Sequence, residues 1–298
     1  MRIAVTGASG LIGSELVPQL RGSGHDVIRL VRRAPTSADE VQWDPDTGFV
    51  GDLGDVDAVI HLAGAGVGDH RWSDSYKKEI LDSRVKGTET ISLAIAQMER
   101  KPHTFISASA IGFYGDTGSK AVTETHLAGH GFLADVVVAW EKAAHAAREA
   151  GIRVVYPRTG LVVSAKGGAW GRMFPLFKAG VGGKLGNGQQ YWSWISMRDE
   201  ISAIEYLLNN SEISGAVNLT APEPQTNAEI TSVMGKVLGR PTLLPAPAFA
   251  LKIVLGEFST EVLSSARVLP AVLEQHGFDF QDRTIESAIR AALAATGV

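Results

Sequence analysis

Two patterns of apolar residues alternate along the first half of the chain. Short apolar runs bounded by turn residues fall at 3–5, 27–31, 41–43, 58–62, 104–107 and 153–156. Longer stretches with helical spacing lie among them, at about 11–21, 73–98 and 133–150. The short runs predict strands and the long ones helices. Strands that alternate with helices of ten or more residues predict a parallel sheet covered on both faces, because each crossover lays its helix on the sheet. The run at 58–62, AVIHL, reads as a strand buried on both sides. Gly22 and Gly24 close the first helix and Gly151 closes the third. Pro18 falls inside the first helix and predicts either a kink or an early end.

Past Arg158 the texture changes. Residues 167–188 hold eight glycines and read as a long loop with one helical turn or more at about 171–177. Ser196 with Asp199, and Thr226 with Glu229, have the spacing of capping boxes ahead of amphipathic helices. A short strand at 217–219 lies between them. Pro241, Pro245 and Pro247 mark a connector. The tail from 249 to 295 reads as mainly helical, with a short strand at 278–280.

Composition narrows the class. The chain has 298 residues, 45% hydrophobic and 20% charged, which excludes disorder and a collagen-like repeat. It has no cysteine, which excludes a disulfide scaffold, thiol catalysis and a Cys-based zinc site. The formal net charge of −4, with no basic stripe, argues against a nucleic-acid partner. No apolar run approaches the ~18 residues of a membrane span. The opening MRIAVTGASG is already strand and turn and has no secretory pattern, so the expected location is cytoplasmic.

The chemistry begins at Gly7, Gly10 and Gly13, a G-x-x-G-x-x-G turn between a strand and a helix. A diphosphate must approach the backbone closely there, and a Cβ would obstruct it. The helix N-terminus then offers unpaired N–H groups and the positive end of its dipole. Gly7, Gly10, Leu11, Ile12 and Gly13 are therefore the candidate cofactor contacts. At the end of the second strand stand Arg32 and Arg33, where NAD sites carry an acid for the ribose 2′-hydroxyl. Guanidinium groups pair with a 2′-phosphate instead, so the expected cofactor is NADP(H). The alternative is two solvated loop arginines.

TGASGLIG, the HLAG at 61–64 and SASAIGFYG at 107–115 together resemble the extended short-chain dehydrogenase/reductases. RWSDSYKKEILDSRVKGT at 71–88, WEKAA at 140–144, RTGLVVSAKGGAW at 158–170, YWSWISMRDE at 191–200, GRPTLLPAPAFALKIVLGE at 239–257 and VLPAVLEQHGFDF at 268–280 narrow the match. They resemble the atypical epimerase-family branch, short-chain dehydrogenase family 39U and its bacterial relatives, with its C-terminal domain of unknown function. The resemblance implies an α/β fold: a Rossmann-type doubly wound parallel sheet with a smaller, mainly helical C-terminal substrate domain. Residues 1–165 would form the NADP-binding domain, its sheet completed by parts of 190–220. Residues 166–298 would form most of the substrate domain, with 245–298 a small helical block. The resemblance also implies that Arg32 lies near the adenosine phosphate and that Leu62 and Ala63 run along the cofactor. It places Glu79 and Arg84 at the cofactor too, in a K-E-x-x-x-S-R motif where Arg84 replaces the Asn of N-V-x-G-T.

The catalytic pattern departs from the superfamily, whose members use Tyr-x-x-x-Lys with a Ser to relay a proton while a hydride moves. None of Tyr76, Tyr114, Tyr156, Tyr191 and Tyr206 has a Lys four residues later. Matching Glu141 to the family's following Glu puts Leu133 and Val137 in the Tyr and Lys places. Ser109 matches the Ser, and Tyr114 stands close by. These two are the catalytic candidates, with a turn serine and a packed tyrosine as the alternatives. Arg158, at a strand end beside the crevice, is expected either to bind an anionic substrate group or to be a structural ion-pair partner. Trp192 and Trp194 either line a substrate pocket or pack a domain junction. His61 reads as a core residue, no metal site is expected, and the absence of G-x-S-x-G excludes a serine hydrolase elbow. The expected function is an NADP(H)-dependent oxidoreductase or epimerase-like enzyme acting on a small polar, nucleotide-sugar-like molecule. The alternative is a non-catalytic NADP(H)-binding sensor or interaction protein.

Overall fold

Every apolar run of the first half becomes a strand of one sheet in the computed structural model, which describes residues 1–296. Residues 297–298, the end of the expected helical block, lie outside the described residues. The strands are β1 (Arg2–Thr6), β2 (Asp26–Val31), β3 (Glu40–Asp44), β4 (Phe49–Val50), β5 (Ala58–His61), β6 (Thr104–Ser107), β7 (Ser109–Ala110), β8 (Arg153–Thr159) and β9 (Gly215–Leu219). Their order is β9-β8-β6-β5-β1-β2-β3-β4, with β7 paired to β8. All neighbours are parallel except β3 and β4.

The helices are α1 (Gly13–Gly22), α2 (Asp74–Gln97), α3 (Phe132–Lys142), α4 (His145–Glu149), α5 (Gly168–Lys178), α6 (Met197–Asn209), α7 (Asn227–Leu238), α8 (Ala248–Leu255), α9 (Ser259–Leu263), α10 (Ala271–Gln275) and α11 (Ile285–Ala294). Alternate residues of β1 point to opposite faces, which splits the core in two. Ile3 and Val5 join Leu16, Leu20, Ile204 and Leu207 of α1 and α6. Ala4 joins Ile91 and Ile95 of α2. This is the expected doubly wound sheet. From β1 the chain builds outward to β3 and then returns to β5 on the other side. That reversal opens a crevice beyond the carboxyl ends of β1 and β5, where ligands of such sheets bind.

Three local expectations change. The predicted helix at 133–150 is two helices, because the buried Ser92 hydroxyl of α2 accepts the Ala147 amide at 2.8 Å and interrupts the ladder. Pro18 neither ends nor breaks α1, since it lies on the solvent face and the carbonyl it leaves free belongs to exposed Ser14. Residues 278–280 are not a strand. Phe278 and Phe280 stack edge to face at 4.8 Å and are buried in the core, and the tail's strand is Arg267–Val268, paired with Ala121–Val122.

Beyond β8 a further core forms from Trp170, Phe174 and Phe177 of α5, Ile230 and Met234 of α7, and Ile285 and Ile289 of α11. Thr226 and Glu229 close a reciprocal capping box. Ser196 caps α6 through the Asp199 amide, but the Asp199 carboxylate turns away to accept the amides of Gln281 and Asp282. In contrast, α8 buries none of its residues. No helix among the described residues is long and apolar enough to cross a membrane.

Candidate functional site

The glycine turn stands where β1 passes into α1. Gly7 has φ +67°, and a Cβ there would stand 2.8 Å from the Leu62 carbonyl carbon and 2.9 Å from the Ala63 nitrogen. A Cβ on Gly13 would stand 2.2 Å from the Gly7 oxygen. Both glycines are thus required by close backbone packing. Gly10 differs: it is exposed, and its Cβ would meet only the Gly7 oxygen, at 3.2 Å. The α1 N-terminus has no side-chain cap, and the Leu11 and Ile12 amides have no acceptor among the described residues. Open donors above a glycine that leaves space for a ligand fit a bound diphosphate. Leu62 and Ala63 flank this turn, their amides directed at the Thr6 hydroxyl at 3.1 and 3.3 Å. The loop before α5 closes over its far side, with Gly167 and Gly168 against Leu11 and Lys166 paired to Glu15.

The two arginines after β2 part company. Arg32 is exposed and has no ion-pair partner among the described residues. Arg33 holds the Glu40 carboxylate with two bonds, at 2.7 and 2.8 Å. That contact holds the Glu40 pKa down, to about 2. Glu79 lies exposed on α2. Arg84 lies one turn further along that helix, partly buried, with its guanidinium over the Trp140 ring.

Beyond the carboxyl ends of β6 and β8 a polar network occupies the crevice floor. Ser109 donates to Glu141 Oε1 at 2.6 Å. Arg158 grips both Glu141 oxygens, at 2.8 and 2.9 Å, and its Nη1 donates to the Tyr114 hydroxyl at 3.0 Å. Tyr114 donates to Asn218 Oδ1 at 2.7 Å, and burial pushes its phenol above the ordinary pKa. The Arg158 guanidinium also covers the Phe113 ring at 3.4 Å. Arg158 is buried, and its contacts are those of a structural ion-pair partner rather than of an open anion receptor.

Trp192 and Trp194 do share a side, but it is the interior: both pack in the core of α5, α7 and α11. Leu133 and Val137 lie on α3 beneath Gly112, where a Cβ would approach them to 3.4 and 3.9 Å. His61 is fully buried, with Nδ1 2.7 Å from the Thr6 hydroxyl, and burial lowers its pKa to about 3. No group of three metal-ligating side chains exists among the described residues. Two members of the floor network, Glu141 and Asn218, were not candidates from the sequence. Glu141 carried one usable signal, its match to the family's Glu; Asn218, inside a short strand run, carried none.

The family model for the NAD dependent epimerase/dehydratase family matches residues 3–220. The model of a domain of unknown function, DUF1731, matches residues 246–292. An epimerase family protein of Mycobacterium leprae is 46% identical over 290 residues, covering 96% of this chain and 94% of its own. Another, from Mycobacterium bovis, is 44% identical over 298 residues, covering 99% and 98%. The crystal structure of human epimerase family protein SDR39U1 (isoform2) with NADPH is similar at TM-score 0.91 and 27% identity, covering 99% of both chains.

Proposed function

Because the chain belongs to the NAD dependent epimerase/dehydratase family, we propose that its crevice binds NADP(H) and that it is an oxidoreductase or epimerase-like enzyme acting on a small polar molecule. The observation that carries this reading is the glycine turn, with its open Leu11 and Ile12 amides above a Gly10 that leaves the approach clear. The similar human protein crystallised with NADPH supports the same cofactor. Gly7, Gly10, Leu11, Ile12 and Gly13 would hold the diphosphate, with Leu62 and Ala63 along its flank. Arg32 would meet the 2′-phosphate, while Arg33 fixes the loop through Glu40. Residues 1–165 would hold the cofactor and residues 166–298 most of the substrate.

When bound, NADP(H) supplies or accepts a hydride at its nicotinamide ring. The chain's own part is to place a reacting oxygen and manage its proton. The Ser109 proton is committed to Glu141, so its oxygen is free to accept a hydrogen bond from a substrate hydroxyl. Tyr114 is committed likewise to Asn218, which suits it to hold Arg158 and the floor in place.

The same two bonds favour a second reading, a non-catalytic NADP(H) sensor, because neither hydroxyl has a proton free for a substrate carbonyl. One experiment addresses both. The full chain is titrated with NADPH and NADH by calorimetry and then mixed with NADPH and a panel of carbonyl compounds while absorbance is followed. Binding with turnover lost in Ser109→Ala supports the enzyme, and tight binding without turnover across the panel supports the sensor. Absence of heat with either dinucleotide removes the cofactor reading.

A further inference from the structure

The exposed apolar side chains are unevenly spread. Of the twelve large ones among the described residues, seven lie between residues 176 and 254. Leu243, 83% exposed, and Leu244 stand on the connector after α7. Phe249, Ile253 and Val254 stand on α8, at 69, 69 and 71%. Leu176 and Val181, near the end of α5 and in the turn after it, are exposed too. That turn and the connector are joined. The Ala246 amide donates to the Lys184 carbonyl at 2.9 Å, and the Gly186 amide to the Ala246 carbonyl at 2.8 Å. Gly183 packs so closely that a Cβ there would stand 1.9 Å from the Leu244 oxygen. A cluster of apolar side chains left in water marks a surface that meets something else.

The charges of the same segments are of one sign. The chain has no acid between Glu149 and Asp199, nor between Glu229 and Glu257. Lys178 and Lys184 fall in the first stretch, Arg240 and Lys252 in the second, and none of the four has a carboxylate partner among the described residues. The acids at the border are engaged: Glu257 holds Lys77 at 3.0 Å and Glu286 holds Lys236 at 3.2 Å. In a chain of net charge −4, this is a local excess of unpaired cations set among apolar side chains.

That combination selects the occupant. A two-fold contact between copies sets one patch against itself, and here it would set cations against cations. An anionic lipid surface suits both properties. Apolar side chains enter the boundary between headgroups and acyl chains, and Lys and Arg reach the phosphates on their long stems. A short helix that carries Phe, Ile and Val beside Lys is the type of segment that lies on such a surface without spanning it. We propose that α8, the connector before it and the turn after α5 dock this protein on anionic phospholipid. The face shares no residue with the glycine turn or the crevice floor, so the proposal stands apart from the dinucleotide reading.

The test is co-sedimentation of the full chain with vesicles of phosphatidylcholine alone and of phosphatidylcholine with an equal part of phosphatidylglycerol. NADPH affinity is measured in parallel. The wild type should bind the anionic vesicles at least tenfold more tightly than the neutral ones, and lose this preference as salt is raised. Phe249→Ser with Ile253→Ser should weaken that binding at least tenfold. Arg240→Glu with Lys252→Glu should do the same, and it decides the matter if the serine variant does not fold. Lys101→Glu, at an exposed cation elsewhere, should bind as the wild type does. NADPH affinity should stay within twofold in every variant. Absence of binding to anionic vesicles overturns the proposal, as does equal binding by the wild type and both double variants. Concentration-dependent self-association without lipid binding would give the face to a second copy, and retention on polyglutamate without lipid binding would give it to an acidic protein; either overturns it. Failure of the wild type to bind NADPH would sink the dinucleotide reading and leave this one to the vesicles.

Discussion

Ser109 and Glu141 are joined by a hydrogen bond of 2.6 Å in which the serine is the donor. The carboxylate that takes this proton is the one that neutralises buried Arg158. Glu141→Gln should therefore do more than free the serine. It leaves the Arg158 charge uncompensated in a site of low accessibility, and removing one partner of a buried pair costs about 3–5 kcal/mol. The midpoint of urea unfolding should fall accordingly, with the slope unchanged. A midpoint within error of the wild type would mean that Arg158 finds another counter-ion.

Arg32 and Arg33 give opposite expectations although they are neighbours. Arg32→Glu should weaken NADPH binding by tenfold or more, about 1.4 kcal/mol, and spare NADH. Arg33→Ala should chiefly lower stability, because it strips Glu40 of its two-point partner. Calorimetric titration of both variants with both dinucleotides separates the roles. Equal NADPH affinity in wild type and Arg32→Glu would rule out the phosphate contact.

Gly10 and Gly13 divide in the same manner. Alanine at Gly13 would drive its Cβ to 2.2 Å from a backbone oxygen, so Gly13→Ala should destabilise the fold by about 2 kcal/mol or more. Gly10→Ala meets little protein and should fold normally while losing cofactor affinity. Circular-dichroism melting alongside NADPH titration checks the pair. A Gly10→Ala variant that binds NADPH as well as the wild type would place the diphosphate elsewhere.

Glu200 supplies a pH dependence. It is fully buried with one hydrogen bond, from Thr159 at 2.8 Å, and burial raises its pKa to about 8. The unfolded chain gives up this proton near pH 4.5, whereas the folded chain keeps it until about pH 8. Stability from this group is thus fully present at low pH and is lost as pH rises through that window. Glu200→Gln, which stays neutral, should be more stable than the wild type at pH 8 and close to it at pH 4. Unfolding free energies at the two values that differ equally between the proteins would refute the assignment.

Much of the fold was readable because its strands are buried on both faces and so appear as bare apolar runs. The strand at 104–107 ends where the sequence pattern ends. The failures share a cause: each depends on a partner far along the chain. The break after α3 comes from Ser92 on another helix. The Phe278 and Phe280 alternation looks like a strand, yet no strand among the described residues pairs with it, and both rings serve the core. At the site, the glycine turn was legible as local chemistry. The pairing of Arg33 with Glu40 was not, since it needs the parallel alignment that sets Arg29 beside Glu40. The closure of the Glu141, Arg158 and Tyr114 network likewise appears only when α3 is laid beside β8.

One helix, α8, has none of its eight residues tucked away. A segment that short holds little helical structure by itself in water, and tertiary contacts normally supply the rest. Deuterium should therefore enter the amides of Ala248–Leu255 well ahead of those in α7 or α11, so that the tail opens at this point while the sheet beneath it stays shut.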